Sequence, residues 1–378
     1  MKIFRICILG LYILPSFAGS HGADSLKKYV SQAELEHPLE LIPDVIEGVD
    51  YIFCIDGGGS KTELQVLDKF GNILPLYYSD SVNPHYVVTK LGSNINVIGE
   101  QGVERIFASL FDNLMIGTNK FLFEDVVSNA ALVAGMAGLG SDKNKLKMSS
   151  ILSKYNFKLR RQALFSDASL TLVLAGDEGA ILISGTGCIC MSKMFDGTTR
   201  RAGGYGFPAE DACGGFFYGK RALNYAIQDE LGYGSSTSLT FLIRAFFSID
   251  EDLSIIEFFR AGYTGKDIAS IAPLVFEQAY GFHDPIAFSI VEVSIEYISR
   301  MIMYAIKDAK SLPFKIFLVG GIFKNKYVDE FIKDIEEELV INSIVSAIEW
   351  VNLSNEKVFP RIIRQIIGDM LAECKVPD

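Results

Sequence analysis

The sequence predicts an α/β fold built from two similar units in succession. Each unit opens with a short continuous apolar run, at residues 51–55 and 180–183, which is typical of a strand buried on both faces. A glycine-rich turn and a returning strand follow each run. With 378 residues, the chain is too long for one ordinary core and long enough for two domains. We expect an N-terminal domain at 50–176, completed by a C-terminal helix at 360–378, and a C-terminal domain at 177–359.

The elements of the N-terminal domain follow from alternation and helical spacing. Alternating residues and a polar turn predict a three-stranded meander over 51–78. Apolar residues at helical spacing between 92 and 114 predict a helix there, with Val103, Ile106, Phe107, Leu110 and Leu114 on its inner face. Beyond it we expect a strand at 127–137, a helix at 143–155 and a strand at 163–166.

In the C-terminal domain, a returning strand is predicted at 188–193, directly after the second glycine-rich turn. A long helical stretch rich in aromatic residues runs from about 218 to 302. A last strong strand is predicted at 315–319, closed by Gly320 and Gly321.

Composition and charge limit the function. About half of the residues are apolar, which is typical of a folded protein. The formal net charge is −11, whereas a protein that binds the phosphate backbone of nucleic acid needs a basic stripe. We therefore expect no nucleic-acid partner.

The N-terminus has the order of a secretory signal peptide. Lys2 and Arg5 precede the apolar run at 6–14, and Ser16 and Ala18 provide a small-x-small cleavage site. The run is too short to span a bilayer as a helix, so residues 1–18 are a signal peptide or an uncleaved anchor. Any membrane contact is expected only there. A polar connector at 19–49 leads to the first domain.

The cysteines favour the opposite compartment. No two of the six have the spacing of a zinc site, since Cys188 and Cys190 are too close and lie in a predicted strand. Cys54 lies within an apolar strand, so we expect it to be a small buried apolar side chain. Free thiols indicate a reducing compartment, whereas the N-terminus indicates export. The sequence leaves the localisation open.

The first glycine turn, at 56–62, joins a buried strand to a returning strand. Without Cβ atoms, its backbone N–H groups can surround a phosphate. The residues that could bind it are Gly58, Gly59, Ser60, Lys61 and Thr62. Asp56, at the strand end, could hold Mg²⁺ through water. The sequence is not a P-loop, and the alternative is a plain hairpin turn.

A second glycine turn, at 184–187, could bind phosphate from the other domain through Gly185, Thr186 and Gly187. Its alternative is also a tight hairpin. Gly320 and Gly321 end a strand before a helix and offer an open face for a nucleotide base, although they could simply form a strand-to-helix turn.

Asp167 directly follows the strand at 163–166. Carboxylates at strand ends of open α/β sheets face the crevice where ligands bind. Phosphoryl transfer to an alcohol requires a carboxylate that accepts the hydroxyl proton. Asp167 is therefore the candidate catalytic residue, and the alternative is a helix N-cap.

A third glycine turn, at 203–206, precedes a carboxylate at Asp211. Gly204, Tyr205 and Gly206 could bring backbone groups to sugar hydroxyls, and Asp211 could accept from a diol. The alternative is an aromatic residue packed in a loop. Asn83 is a further candidate for a sugar contact, with an Asn-Pro turn as its alternative.

In order and context, these segments resemble the N-acetylglucosamine kinase family and the wider BadF/BadG/BcrA/BcrD-type ATPase family, from about residue 51 to the C-terminus. The resemblance implies two ribonuclease-H-like domains of the actin-like ATPase type, with a nucleotide cleft between them. It also implies ATP and Mg²⁺ as cofactors, a homodimer, and phosphorylation of an amino sugar, N-acetylglucosamine to N-acetylglucosamine 6-phosphate.

The family motifs fall on the same residues. The first and second glycine turns match its two phosphate motifs, and Gly320 and Gly321 match its adenosine motif. Asp167 matches the carboxylate that activates the sugar hydroxyl and also contacts the sugar. The remaining sugar contacts would be Asn83, Gly204, Tyr205, Gly206 and Asp211.

Three departures from the family pattern leave other functions open. Cys188 stands where serine is usual, Tyr205 where tryptophan is usual, and the segment 208–214 where Gly-Asp-Glu-Gly-Ser is typical. One alternative is therefore a catalytically weakened sugar or nucleotide sensor. The other is a BadF-type ATPase activator, which carries cysteines for an iron–sulfur cluster.

Overall fold

The computed structural model describes residues 49–58, 61–78, 81–83, 87–89, 91–157, 162–206, 212–307, 309, 313–341, 348–354 and 362. The predicted signal segment at 1–18 and almost all of the predicted connector lie outside the described residues. So does the predicted C-terminal helix, apart from Ile362. Among the candidate site residues, Gly59, Ser60 and Asp211 also lie outside them.

The strands form two five-stranded sheets and one of four strands. In chain order they are β1 (Tyr51–Gly57), β2 (Thr62–Asp68), β3 (Leu76–Tyr78), β4 (Ser81–Asn83), β5 (Val87–Thr89), β6 (Met115–Ile116), β7 (Phe121–Leu122), β8 (Ala130–Met136), β9 (Gln162–Phe165), β10 (Gly179–Ser184), β11 (Cys188–Lys193), β12 (Thr199–Gly203), β13 (Phe314–Val319) and β14 (Ile348–Asn352). The five-stranded sheets have the orders β5-β2-β1-β8-β9 and β12-β11-β10-β13-β14. In the first sheet, β1 pairs antiparallel with β2 and parallel with β8. In the second sheet, β10 pairs antiparallel with β11 and parallel with β13. The two sheets therefore repeat one topology, as the duplicated sequence pattern predicts.

The predicted three-stranded meander over 51–78 is wrong in its third strand. Ile73 forms only an isolated bridge with Leu67, and β3 instead joins the four-stranded sheet, with the order β4-β3-β6-β7. Pro75 precedes β3 and has no N–H to continue the ladder beside β2. The place beside β2 is taken by β5.

The helices flank these sheets. They are α1 (Ile95–Phe111), α2 (Phe123–Val126), α3 (Asp142–Ser153), α4 (Asp167–Thr171), α5 (Gly215–Glu230), α6 (Ser238–Phe247), α7 (Ile255–Arg260), α8 (Gly265–Ala269), α9 (Ala272–Phe276), α10 (Pro285–Ile306) and α11 (Val328–Ile341). The long helical stretch predicted between 218 and 302 is thus divided into several helices. Positive φ angles at Gly232, Ser248 and Gly262 reverse the chain between them. Among the described helices, none combines the length and apolar composition that a membrane crossing requires.

The core contacts explain why β1 is apolar throughout. Phe53 faces the cluster that includes the inner face of α1. Ile52 faces the other way, into a cluster with Ala131 of β8. That second cluster also contains Ile181 of β10 and Phe317 of β13. The two five-stranded sheets therefore share one apolar core.

Candidate active site

Two carboxylates lie near the ends of parallel strands in the first sheet. Asp56 of the central strand β1 is opposite Gly135 of β8, and Gly135 is opposite Phe165, the last residue of β9. Asp167 follows two residues later, at the start of α4. A Cβ on Gly135 would overlap the side chain of Leu170, so glycine here permits α4 to pack closely over β8. This packing fixes Asp167 at the same sheet edge as Asp56.

Asp56 is held in a position that disfavours its charge. Burial, which is the largest effect, and the nearby carboxylates of Glu63 and Asp167 raise the pKa of Asp56 to about 7, against the opposing charge of Lys61. A carboxylate with this pKa is only partly ionised at neutral pH. The position favours a bound cation, which would relieve both the desolvation and the repulsion.

Asp167 is not the cap of its helix. The cap is Ser166, whose Oγ accepts a hydrogen bond of 2.9 Å from the Ser169 N–H. The carboxylate of Asp167 accepts one from the Ala168 N–H at 2.9 Å. Burial raises the pKa of Asp167, while the Ala168 N–H and the Arg201 guanidinium oppose the rise. A carboxylate whose pKa is raised towards neutrality is a better proton acceptor for an alcohol.

The first glycine turn is a tight hairpin between β1 and β2. Gly58 N–H donates to the Lys61 carbonyl at 2.9 Å. The Lys61 side chain is exposed and forms an ion pair with Glu63 at 3.1 Å. Thr62 is fully buried, and its hydroxyl donates to the Leu91 carbonyl at 3.0 Å. The hydroxyl of Thr62 therefore binds the loop before α1, while the Lys61 side chain lies on the protein surface beside the turn.

The pair Ser93 and Asn94, which the sequence analysis did not consider, lies against this turn. Ser93 N–H donates to the Gly58 carbonyl at 3.0 Å, and the fully buried Ser93 side chain fills the space beside Gly57. Asn94 caps α1 by accepting from the Asn96 N–H at 3.0 Å. A Ser-Asn pair directly before helical periodicity is an N-cap signal that could have identified it.

Asn83, the asparagine chosen from the sequence, lies in a different sheet, and its contact with a sugar stays a prediction. It lies in β4 of the four-stranded sheet and pairs with Leu76. The strands that lead to Asp56 and Asp167 belong to the first five-stranded sheet. The asparagine adjoining the first glycine turn is Asn94.

The second glycine turn is held by the N-terminus of α5. Within the turn, Gly185 N–H donates to the Gly187 carbonyl at 2.9 Å. The Gly185 and Thr186 carbonyls accept from Gly215 N–H at 2.7 Å and Phe216 N–H at 2.9 Å. The positive end of the helix dipole therefore points at the turn, an arrangement that favours a bound anion.

Gly320 packs directly on the second glycine turn. Its strand β13 is the parallel neighbour of β10, with Val319 opposite Ile183. The backbone of Gly320 has φ +113°, and a Cβ there would overlap the Ser184 carbonyl. Glycine is therefore required at this position for both conformation and space. Gly321 follows, exposed, at the start of a short 3₁₀ helix.

The third glycine turn adjoins the second. Gly204 has φ +70°, and its N–H donates to the Cys188 carbonyl at 2.7 Å. The side chain of Tyr205 is exposed, and Gly206 has φ +68°. The predicted sugar contacts Gly204 to Gly206 are thus placed beside the second glycine turn, whereas Asp211 lies outside the described residues.

Arg201 of β12 connects this turn with the catalytic candidate. Its Nε donates to the Gly203 carbonyl at 3.2 Å, and its Nη2 donates to the Gly204 carbonyl. Its charge acts on Asp167, as noted above. Arg201 was not among the residues predicted from the sequence, although an arginine two residues before paired glycines can signal a turn held by a guanidinium.

Two cysteines near the second glycine turn form a disulfide, Cys188–Cys213. The expectation that the cysteines are thiols is therefore wrong for this pair. The two sulfurs meet because β11 starts beside the residues that lead into α5. Cys54 and Cys190 are buried free thiols. Within the described part of the chain, no group of three or more His, Cys, Asp or Glu side chains could hold a metal ion.

Comparison with known proteins identifies the family. The model of the BadF/BadG/BcrA/BcrD ATPase family matches residues 54–349, so the chain belongs to this family. It is 26% identical over 320 residues to an N-acetylmuramic acid/N-acetylglucosamine kinase of Clostridium acetobutylicum, covering 83% of this chain and 97% of that one. It is 28% identical over 232 residues to an N-acetyl-D-glucosamine kinase of Dictyostelium discoideum, covering 60% and 70%.

The structural comparison agrees on the fold. A candidate N-acetylglucosamine kinase from Chromobacterium violaceum superposes with a TM-score of 0.58 at 20% identity, covering 84% of this chain and 99% of that one. A second, from Porphyromonas gingivalis, gives a TM-score of 0.55 at 14% identity, with the same coverage. The chain has the mixed α/β fold of these proteins.

Proposed function

We propose that this protein is an ATP-dependent kinase that phosphorylates an amino sugar, N-acetylglucosamine to N-acetylglucosamine 6-phosphate. Its family is an ATPase family, and the curated relatives named above are kinases of N-acetylglucosamine, one of them also of N-acetylmuramic acid. An acetamido sugar is therefore the substrate class to test first.

The observation that supports this most is that Asp56 and Asp167 lie at one sheet edge, both half-buried, with the charge of Asp167 among the causes that raise the pKa of Asp56. Arg201, whose charge lowers the pKa of Asp167, donates to the Gly204 carbonyl of the third glycine turn, and the Gly204 N–H donates to the Cys188 carbonyl, directly after the second glycine turn. These contacts support a site in which a carboxylate for the acceptor and a phosphate-binding turn for the donor act together.

In this mechanism, Asp167 accepts the proton of the sugar hydroxyl and orients its oxygen towards the γ-phosphate. The first and second glycine turns bind the phosphates of ATP, with the α5 N-terminus supporting the second. Gly320 and Gly321 border the adenosine. The third glycine turn, Asp211 and Asn83 bind the sugar.

Asp56 fits a site for Mg²⁺, because its half-buried carboxylate near a second carboxylate favours a cation. Bound Mg²⁺ would neutralise charge that develops on the transferred phosphoryl group. The proposal also includes two ribonuclease-H-like domains, divided near residue 177, whose closure over the cleft excludes water. A homodimer stays a prediction.

The test is ADP release by the full chain with Mg-ATP and a panel of N-acetylglucosamine, N-acetylmannosamine, glucosamine and glucose. We expect release that depends on an acetamido sugar and that Asp167→Asn abolishes. Phosphate on the 6-hydroxyl, read by NMR of the product, completes the assignment. Sugar-independent ADP release that survives in Asp167→Asn would contradict the kinase and favour an ATPase role.

A further inference from the structure

The Cys188–Cys213 disulfide lies between two parts of the proposed nucleotide site. Cys188 is the first residue of β11, directly after the second glycine turn. Cys213 lies immediately before Gly214, the residue that precedes α5. Their Cα atoms are 5.6 Å apart, across 25 residues of chain. Both side chains are buried, at 2% and 0% exposure, so the bond is part of the packed interior.

Hydrogen bonds on both sides of the disulfide close the same junction. Ser184 Oγ donates to the Cys213 carbonyl, at the start of the turn. The two N–H groups at the start of α5 donate to carbonyls of the turn, as described above. A Cβ on Gly214 would lie 2.6 Å from the Gly187 Cα, so the two backbones are in direct contact. The disulfide is the covalent part of this junction.

The turn needs such support because of its composition. Gly185 and Gly187 give it conformational freedom that must be lost when it binds a phosphate. With the Gly185 and Thr186 carbonyls bonded to α5, the exposed side of the turn consists of Thr186 and Gly187. A site fixed before binding loses less entropy when the ligand arrives.

We propose that the Cys188–Cys213 disulfide is a positioning element of the nucleotide site, which holds the second glycine turn against the N-terminus of α5 in its phosphate-binding form. This proposal rests on the proposed function. Cleavage by a dithiol breaks the S–S bond, leaves two thiols on the protein and converts the dithiol into its cyclic disulfide. The turn then depends on its hydrogen bonds alone, and nucleotide affinity falls.

The test compares the full chain with Cys188→Ser/Cys213→Ser, and with Cys190→Ala as a matched control that removes a buried free thiol of the same strand. Peptide mass mapping first establishes the bond in the unmodified chain. Dissociation constants for a non-hydrolysable ATP analogue are measured next, together with KM for ATP, KM for the sugar, and kcat. We expect roughly tenfold weaker nucleotide binding in the double variant, because the turn must then be ordered when the nucleotide binds. KM for the sugar should change less than KM for ATP, and Cys190→Ala should bind the analogue normally.

Reduction and reoxidation of the unmodified chain provide a second arm that does not depend on the variant folding. Treatment with dithiothreitol should weaken analogue binding, and removal of the reductant with reoxidation should restore it. Unchanged affinity after verified cleavage of the bond would overturn the proposal, as would an equal rise of both KM values or the absence of the bond in the mass map. Analogue binding requires no turnover, so it decides the point even if no sugar is phosphorylated. Failure of the proposed function would instead appear as analogue binding without sugar-dependent ADP release.

Discussion

Replacing Asp56 with asparagine should stabilise the nucleotide-free protein while abolishing its activity. The carboxylate is half-buried near Glu63 and Asp167, and its desolvation together with these charges raises its pKa to about 7 from the ordinary 3.8. In the unfolded chain, the group ionises near its ordinary pKa. Its contribution to stability is therefore fully present below about pH 3.8 and lost as the pH rises to about 7.

The size of the effect follows from the pKa. The difference between about 7 and 3.8 corresponds to about 4 kcal/mol, at 1.36 kcal/mol per pH unit. About 2 kcal/mol of this is lost between pH 5.5 and pH 8.5, where the carboxylate of the folded chain is almost fully ionised. The neutral amide in Asp56→Asn does not titrate. The free energy of unfolding of the variant, relative to the unmodified chain, should therefore rise by about 2 kcal/mol between pH 5.5 and pH 8.5.

The assay is thermal and urea unfolding of both chains at pH 5.5 and pH 8.5, without nucleotide. Asp68→Asn is the control. Burial tends to raise the pKa of Asp68, but hydrogen bonds from Asn72, Phe70 and Gly71 outweigh it and hold the pKa below 3.8. Asp68 is ionised at both pH values, so its substitution should destabilise the protein equally at both. A stability difference for Asp56→Asn that does not change with pH would refute the reasoning.

In a second experiment with nucleotide present, Mg-ATP should stabilise the unmodified chain and not the Asp56→Asn variant.

Three further substitutions test the site. Asp167→Asn should lower kcat by about 10²- to 10⁴-fold, the range for loss of a general base, and leave binding of an ATP analogue intact; retained turnover would exclude the assigned role. Gly320→Ala should raise KM for ATP and lower the melting temperature more than Gly262→Ala, because Gly262 has nearly the same φ, +112°, but open space around it. The backbone alone accounts for about 1–3 kcal/mol in both variants, so equal losses would contradict the packing argument. Arg201→Gln removes a positive charge that lowers the pKa of Asp167, so the acidic limb of kcat/KM should move to higher pH. Arg300→Gln, at an exposed helical ion pair, is the control and should leave the profile in place.

The sequence predicts strands well where both faces are buried. β1, β10 and β13 appear as continuous apolar runs because each lies inside a sheet with cores on both sides. β12 has the sequence Thr-Arg-Arg-Ala-Gly, and β14 is half-exposed at the opposite edge of the second sheet. These edge strands contain few buried apolar residues, so neither an apolar run nor an apolar–polar alternation in the sequence reveals them.

In the site, the residues placed by the strand directly before them could be predicted from the sequence. The residues placed by contacts with distant parts of the chain could not. Asp56 and Asp167 follow predicted strands, and that is sufficient to place them at a sheet edge. Local signals mark Ser93 as part of a helix start and Arg201 as part of a turn, but their place at the site is recognised only from what they touch. The Cys188–Cys213 pairing likewise has no spacing rule, since it depends on where α5 begins relative to β11.

The apolar cluster shared by the two five-stranded sheets has a consequence for how the molecule can be divided. Ile52 and Ala131 from one sheet pack in the same cluster as Ile181 and Phe317 from the other. A fragment that ends near residue 176 would present this apolar face to water, and we expect it to self-associate and not to fold alone. In the proposed closure over a nucleotide, the glycine turns of the two sheets would approach each other around this cluster, while the contact within it stays closed.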